Sequence, residues 1–175
     1  VAGAIVTQQE SQETKHILSV LVDNEPGVLS RVTGLFSGRG FNIESLSVAE
    51  TTDPQISRIT ATVPGNDAIL EQVKKQLRKL INVHKVIDLT DAPHVRRELA
   101  LIKVRAKVED RAEILRVADI FRGKVVDVSP SDYMVEVTGD QDKMEAILSL
   151  LARFTVIEIA RSGVIALPRS KKGEK

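Results

Sequence analysis

The sequence predicts an α+β protein built from two β-α-β-β-α-β units in tandem. Three observations predict it. Strand-like alternation and helical apolar stripes follow one another in that order. The order then recurs after a break at Thr90-Asp91-Ala92-Pro93-His94. Each unit has only two helices, so each sheet has helices on one face. Of the 175 residues, 42% are apolar and 28% charged, enough for a core with a solvated exterior. Aromatics are 3%, so that core is made of Val, Ile, Leu and Ala.

The first unit opens with a strand over His16–Val22, where Leu18, Val20 and Val22 alternate. A loop, Asp23–Pro26, leads into a helix from about Gly27 to Arg39. Val28, Leu29, Val32, Leu35 and Phe36 form its apolar stripe. Asn24 or Glu25 lies near its cap, Pro26 suits its first turn, and Gly38 and Gly40 end it. Phe41–Glu50 is the next strand. Its apolar phase slips between Ile43 and Leu46, which predicts a bulge or bend near Glu44-Ser45. Thr52-Asp53-Pro54-Gln55 is a turn, Ser57–Val63 a strand, and Asn66-Asp67 caps a second helix bearing Leu70, Val73 and Leu77. Val83–Leu89 closes the unit as a strand.

The second unit reads as a strand over Glu98–Ala106, a helix over Asp110–Arg122, and strands over Val125–Ser129 and Tyr133–Thr138. A helix with Met144, Ile147, Leu148 and Leu151 follows, then a strand over Thr155–Ala160 that continues to Leu167. The expected limits are an N-terminal arm over 1–14, domains over 15–90 and 95–168, and a basic tail over 169–175. The arrangement in each unit is the ferredoxin-like split βαβ. Ile17, Leu21, Leu46 and Val48 fall outside the main apolar phase, so they line an interface or reflect uneven core packing.

Charge and composition remove several classes of function. The net charge is +1, and each unit is neutral, with nine acids against nine bases and twelve against twelve. A nucleic-acid binder would carry a basic face. Without Cys there are no disulfides, thiolate metal sites or Cys nucleophiles. No apolar run reaches the length of a membrane helix. Val1–Val6 is too short and lacks the basic residues of a signal peptide, so a cytoplasmic location is expected. His16, His84 and His94 are scattered, and no metal site is indicated. The glycines of Gly34–Gly40 end a helix and lack the Lys-Ser/Thr of a P-loop. Arg96-Arg97-Glu98 reads as a solvated strand start more readily than an anion site. The acidic Asp23-Asn24-Glu25 loop is the wrong charge for an acylphosphatase cradle.

One stretch carries chemistry. A helix start presents unpaired N–H groups and the positive end of the macrodipole, a seat for a carboxylate. Gly27 gives a ligand close access to that backbone. The amides of Asn24 and Asn42 donate and accept, and each alone reads equally as a turn former. Together with Gly27 they outline a site for an α-amino acid.

The run His16-Ile-Leu-Ser-Val-Leu-Val-Asp-Asn-Glu-Pro-Gly-Val-Leu-Ser-Arg31, continuing through Gly38-Arg-Gly-Phe-Asn-Ile-Glu-Ser-Leu46, resembles the small regulatory subunits of acetohydroxyacid (acetolactate) synthase. The likeness continues through His94-Val-Arg-Arg-Glu-Leu99, Ile120-Phe-Arg-Gly-Lys-Val-Val-Asp-Val128 and Ala160-Arg-Ser-Gly-Val-Ile-Ala-Leu-Pro-Arg169, and covers about residues 15–169. It implies an N-terminal ACT domain followed by an ACT-like C-terminal domain. It further implies a non-catalytic chain that activates a large catalytic subunit and confers feedback inhibition by valine. Thiamine diphosphate, magnesium and FAD would belong to that partner. The expected effector residues are Asn24, Gly27, Val28, Leu29, Asn42 and Ile43, shared across a homodimer of ACT domains. The long insertion of fungal relatives is absent, which argues against control by ATP. The alternative reading is a free-standing tandem-ACT amino-acid sensor acting on transcription or another enzyme.

Overall fold

A computed structural model describes residues 15–170. The arm over 1–14 and the end of the basic tail lie outside the described residues. The first half runs β1 (Lys15–Asp23), α1 (Val28–Ser37), β2 (Ser45–Glu50), β3 (Ile56–Pro64), α2 (Asp67–Leu77) and β4 (Val83–Asp88). Its sheet has the order β2-β3-β1-β4. The second half runs β5 (His94–Arg105), α3 (Arg111–Ile120), β6 (Lys124–Val128), β7 (Asp132–Gly139), α4 (Gln141–Leu151), β8 (Val156–Arg161) and β9 (Ile165–Pro168). Its main sheet repeats the same order as β6-β7-β5-β8. All pairings are antiparallel. These are two ferredoxin-like α+β domains in tandem.

Each half has its own core. In the first, Leu18, Val20 and Val22 of β1 and Ile59, Ala61 and Val63 of β3 meet Val32 and Phe36 of α1 and Val73 and Leu77 of α2. In the second, Ile102, Val104 and Val135 meet Ile114 of α3 and Met144, Ile147 and Leu151 of α4. The helices start as their sequences dictate at α2 and α4. Asn66 Oδ1 accepts from the Ala68 N–H at 2.7 Å, and Asp140 Oδ1 from the Lys143 N–H at 3.0 Å.

The irregularity expected near Glu44-Ser45 is a bend at Glu44, with no register shift between β2 and β3. β2 begins at Ser45, just after Glu44 donates its N–H to the Thr62 carbonyl of β3 at 2.9 Å, and Phe41 and Ile43 pack on the core from a loop. The phase slip therefore marks where the strand begins. Register shifts occur instead at Leu21/Val22, Lys103/Val104 and Val125/Asp127. The last strand also differs. Residues after Arg161 turn at Gly163 (φ +79), and β9 pairs with His94–Arg97 at the start of β5. This two-stranded ribbon lies on the first domain, where Ala166 is buried with Ile17 and Leu89. Ile17 thus lines an interface between halves, whereas Leu46 packs on its own core.

A further tie fixes α2 to β4. Lys74 is 7% exposed, and its Nζ donates to Asp88 Oδ2 at 2.7 Å and pairs with Glu71. Burial pushes the Asp88 carboxyl up, but hydrogen bonds from Lys74 and Thr90 outweigh it and hold the group below its ordinary value. A carboxyl lowered on folding stabilises the fold above its unfolded pKa of about 4, and that stability is lost as pH falls through the lower folded value. Asp88→Asn keeps an acceptor for Lys74, which also retains Glu71, but removes the charge from the hydrogen bond, so it should cost about 1–2 kcal/mol at pH 7. The difference from the parent should vanish in thermal melts well below pH 4.

Candidate functional site

β1 delivers the chain to Asp23, and the loop Asn24–Gly27 turns it into α1. Gly27 is the N-cap, with φ 85 and ψ −13, and no side chain caps the helix. A side chain avoids this left-handed conformation, which is why glycine stands there. The sequence places Pro26 in the first helical turn; in the structure it lies just outside. Val28 donates its N–H to the Glu25 carbonyl at 3.4 Å. Among the described residues the N–H groups of Gly27, Leu29 and Ser30 find no acceptor, and the first turn holds no acid. Above Gly27 there is open space, since a Cβ built there meets nothing within 4 Å. The helix end is thus an exposed cluster of unspent donors carrying the positive pole.

The loop is held from two sides. Asn24 donates its backbone N–H to the Gln55 carbonyl at 2.8 Å. Its amide nitrogen donates to Glu50 Oε1 at 3.0 Å and to the Pro54 carbonyl at 2.9 Å, while Oδ1 accepts from the Ser57 hydroxyl at 3.1 Å. Asn24 therefore ties the loop to the β2–β3 hairpin. On the other side, Asp23 accepts from the Asn82 amide at 2.9 Å and pairs with His84 Nε2 at 2.6 Å. The hydrogen bond from Asn82, then that to His84, holds the Asp23 carboxyl below its ordinary value. Arg31 donates to Asn82 Oδ1 at 2.9 Å, which locks α1 into the same network.

The six expected site residues divide into two groups. Asn24, Gly27, Val28 and Leu29 meet at the start of α1. Asn42 and Ile43 lie beyond its other end, roughly 15 Å away for a ten-residue helix. One chain does not bring the two groups together. The side chain of Val28 is 4% exposed and belongs to the core, so it does not form the ligand wall expected of it; only its backbone is at the site. Leu29, at 40% exposure, presents the apolar surface there. Sequence reasoning missed Glu50, Gln55, Ser57, Asn82 and His84 as supports of the loop. Only the Pro54-Gln55 turn signalled a nearby hairpin; the rest depends on strand pairing. Among the described residues no group of three or more His, Asp or Glu is placed to hold a metal ion.

Comparison with known proteins matches both halves. Residues 18–85 match the AHAS small subunit-like ACT domain, and residues 97–170 match the family described as small subunit of acetolactate synthase. The chain is 55% identical over 162 residues to the acetolactate synthase small subunit of Aquifex aeolicus, covering 92% of this chain and 84% of that one. Against the Haemophilus influenzae acetolactate synthase small subunit it is 52% identical over 159 residues, 90% and 98% of the two chains. The crystal structure of the acetolactate synthase small subunit from Thermotoga maritima superimposes with a TM-score of 0.82 at 45% identity, covering 90% of this chain and 98% of that one. Two matching family descriptions in the right order, and half-identical relatives along nearly the whole length, establish that the chain belongs to the acetolactate synthase small subunits.

Proposed function

We propose that this chain regulates an acetolactate synthase: it binds the large catalytic subunit, raises its turnover and confers feedback inhibition by valine. The observation that carries the reading is the start of α1, with exposed, unspent N–H groups and no acid to compensate them, in a chain of this family. A valine carboxylate would accept from these donors. Because the Asn24 amide is committed to the hairpin, the ammonium falls to Asn42 of a second copy. Leu29 of one chain and Ile43 of the other would flank the isopropyl group. A site divided in this way is complete only in a symmetric dimer. Valine would then bind dimer and not monomer, and so stabilise the dimer by mass action, by about 2.7 kcal/mol at a hundredfold excess over Kd.

In this reading the carbon–carbon bond formation belongs to the partner, along with thiamine diphosphate, magnesium and FAD. This chain contributes a surface and a sensor. The test is reconstitution. The large subunit should co-purify with this chain, turnover should rise on mixing, and valine should reverse the rise. Turnover unchanged by the chain would overturn the regulatory reading. Activation that persists at saturating valine would overturn the feedback reading alone.

A further inference from the structure

A groove of about 650 Å³ lies between the first sheet and the ribbon that β9 makes with the start of β5. β2 and β3 supply its floor, with Ser47, Ala49 and Thr60. The ribbon supplies its wall. Successive strand residues point to opposite sides, so Ala166 lies buried against the first domain while Ile165 and Leu167 turn away from it. Ile165 is 56% exposed and Leu167 55%, and Val95, directly opposite Leu167, is exposed too. A single apolar residue on a surface is ordinary. Three together along one short ladder, at the wall of a groove, are the usual mark of a contact surface.

The charge of this groove is one-sided. Arg58 and Arg97 line it against one acid, Glu50. Arg58 Nη1 donates to the Ser19 hydroxyl at 2.6 Å, and Arg97 Nη1 to the Arg96 carbonyl at 2.6 Å. Neither guanidinium meets a carboxylate among the described residues, whereas those of Arg105, Arg116, Arg153 and Arg161 all do. Most of the five donors on each fork are therefore open to an anion. Glu50 does not supply it, because its carboxylate accepts from the Asn24 amide at 3.0 Å. The groove thus offers hydrocarbon and positive charge, and lacks the acids that would match them. A second copy of the chain is a poor occupant, since a symmetric contact here would set one basic patch against the same basic patch.

We propose that the large catalytic subunit docks in this groove, through a segment whose acids meet Arg58 and Arg97 and whose aliphatic side chains cover Val95, Ile165 and Leu167. The proposal rests on the regulatory reading above and gives it a surface. That surface adjoins the loop before α1, because Glu50 both lines the groove and holds Asn24. The test titrates the large subunit with the full chain and follows binding and turnover together. Arg97→Glu, at an exposed position, should weaken binding about tenfold or more, and Arg97→Lys, which keeps the charge, much less. Leu167→Asp should weaken it by at least as much without lowering the melting temperature, since that side chain is outside the core. Parental binding should also weaken as salt is raised. A parent chain that does not bind the large subunit would overturn the regulatory reading and this proposal together. Parental binding matched by both Arg97→Glu and Leu167→Asp would overturn the groove alone. So would variants that lose self-association while keeping the large subunit, which would give the groove to a second copy. If Leu167→Asp does unfold the chain, Arg97→Glu against Arg97→Lys decides.

Discussion

A chain carrying Gly27→Asp is expected to activate the large subunit normally yet to be insensitive to valine. The new carboxylate would stand where the ligand carboxylate binds. At an effective dielectric of about 20, two like charges roughly 4 Å apart repel by about 4 kcal/mol, close to a thousandfold in affinity. The sequence alone allows Gly27 ordinary dihedrals, in which case Asp would be a good cap. The structure corrects that, because φ is 85. Any side chain there costs about 1–2 kcal/mol of backbone strain, least for Asn or Asp. Gly27→Ala separates the two effects. It carries the strain without the charge, and its methyl meets nothing within 4 Å. Calorimetry should show Gly27→Ala retaining most of the valine affinity and Gly27→Asp losing it. Equal valine affinity in Gly27→Asp and the parent would remove the ligand from the start of α1.

Phe36→Ala should be the most damaging single change to the first domain. Phe36 is 1% exposed and the bulkiest of the fully buried side chains. Phe-to-Ala changes in cores cost about 3–5 kcal/mol, from lost transfer energy and the cavity left behind. That is a large part of a small domain's usual stability of about 5–15 kcal/mol. Because Ile102, Ile114 and Met144 sit in a separate core, the second domain should keep its own transition. Calorimetry should therefore resolve two melting steps, with only the first lowered. A single step at a lowered midpoint would show that the two cores melt together, and a midpoint unchanged from the parent would overturn the prediction.

How far the sequence can be read is clearest at particular residues. Leu18, Val20 and Val22 alternate, and so do Ile59, Ala61 and Val63; all six are buried. Local period is enough there, because each strand has one helix-covered face. Val95 and Arg97 carried no such signal. Their strand is set by pairing with Leu167 and Ile165, some seventy residues away, and no local pattern encodes that. The same limit applies at the candidate site. Gly27 was legible because a turn into a helix has its own chemistry. Asn24 was legible as polar and important, but not as a tie to Glu50 and Pro54, since a side chain's partners depend on tertiary placement. Val28 shows the opposite error. It stands beside Gly27 in the chain, yet the first turn of α1 already directs its side chain inward.

The ribbon of β5 and β9 has a consequence for the order of folding during synthesis. His94 pairs with Pro168 and Arg97 with Ile165, so this ladder closes a loop that contains the entire second domain. Contacts of such separation form late, after the loop between them has become compact. At synthesis rates of roughly 5–20 residues per second, the first domain emerges seconds before Ile165 does. Until then Ile17 and Leu89, which are buried with Ala166 in the finished chain, lack that cover and have only Ile87 beside them. A nascent chain therefore exposes an apolar strip on its first domain, and β9, made after the whole of the second sheet, is the strand that closes it.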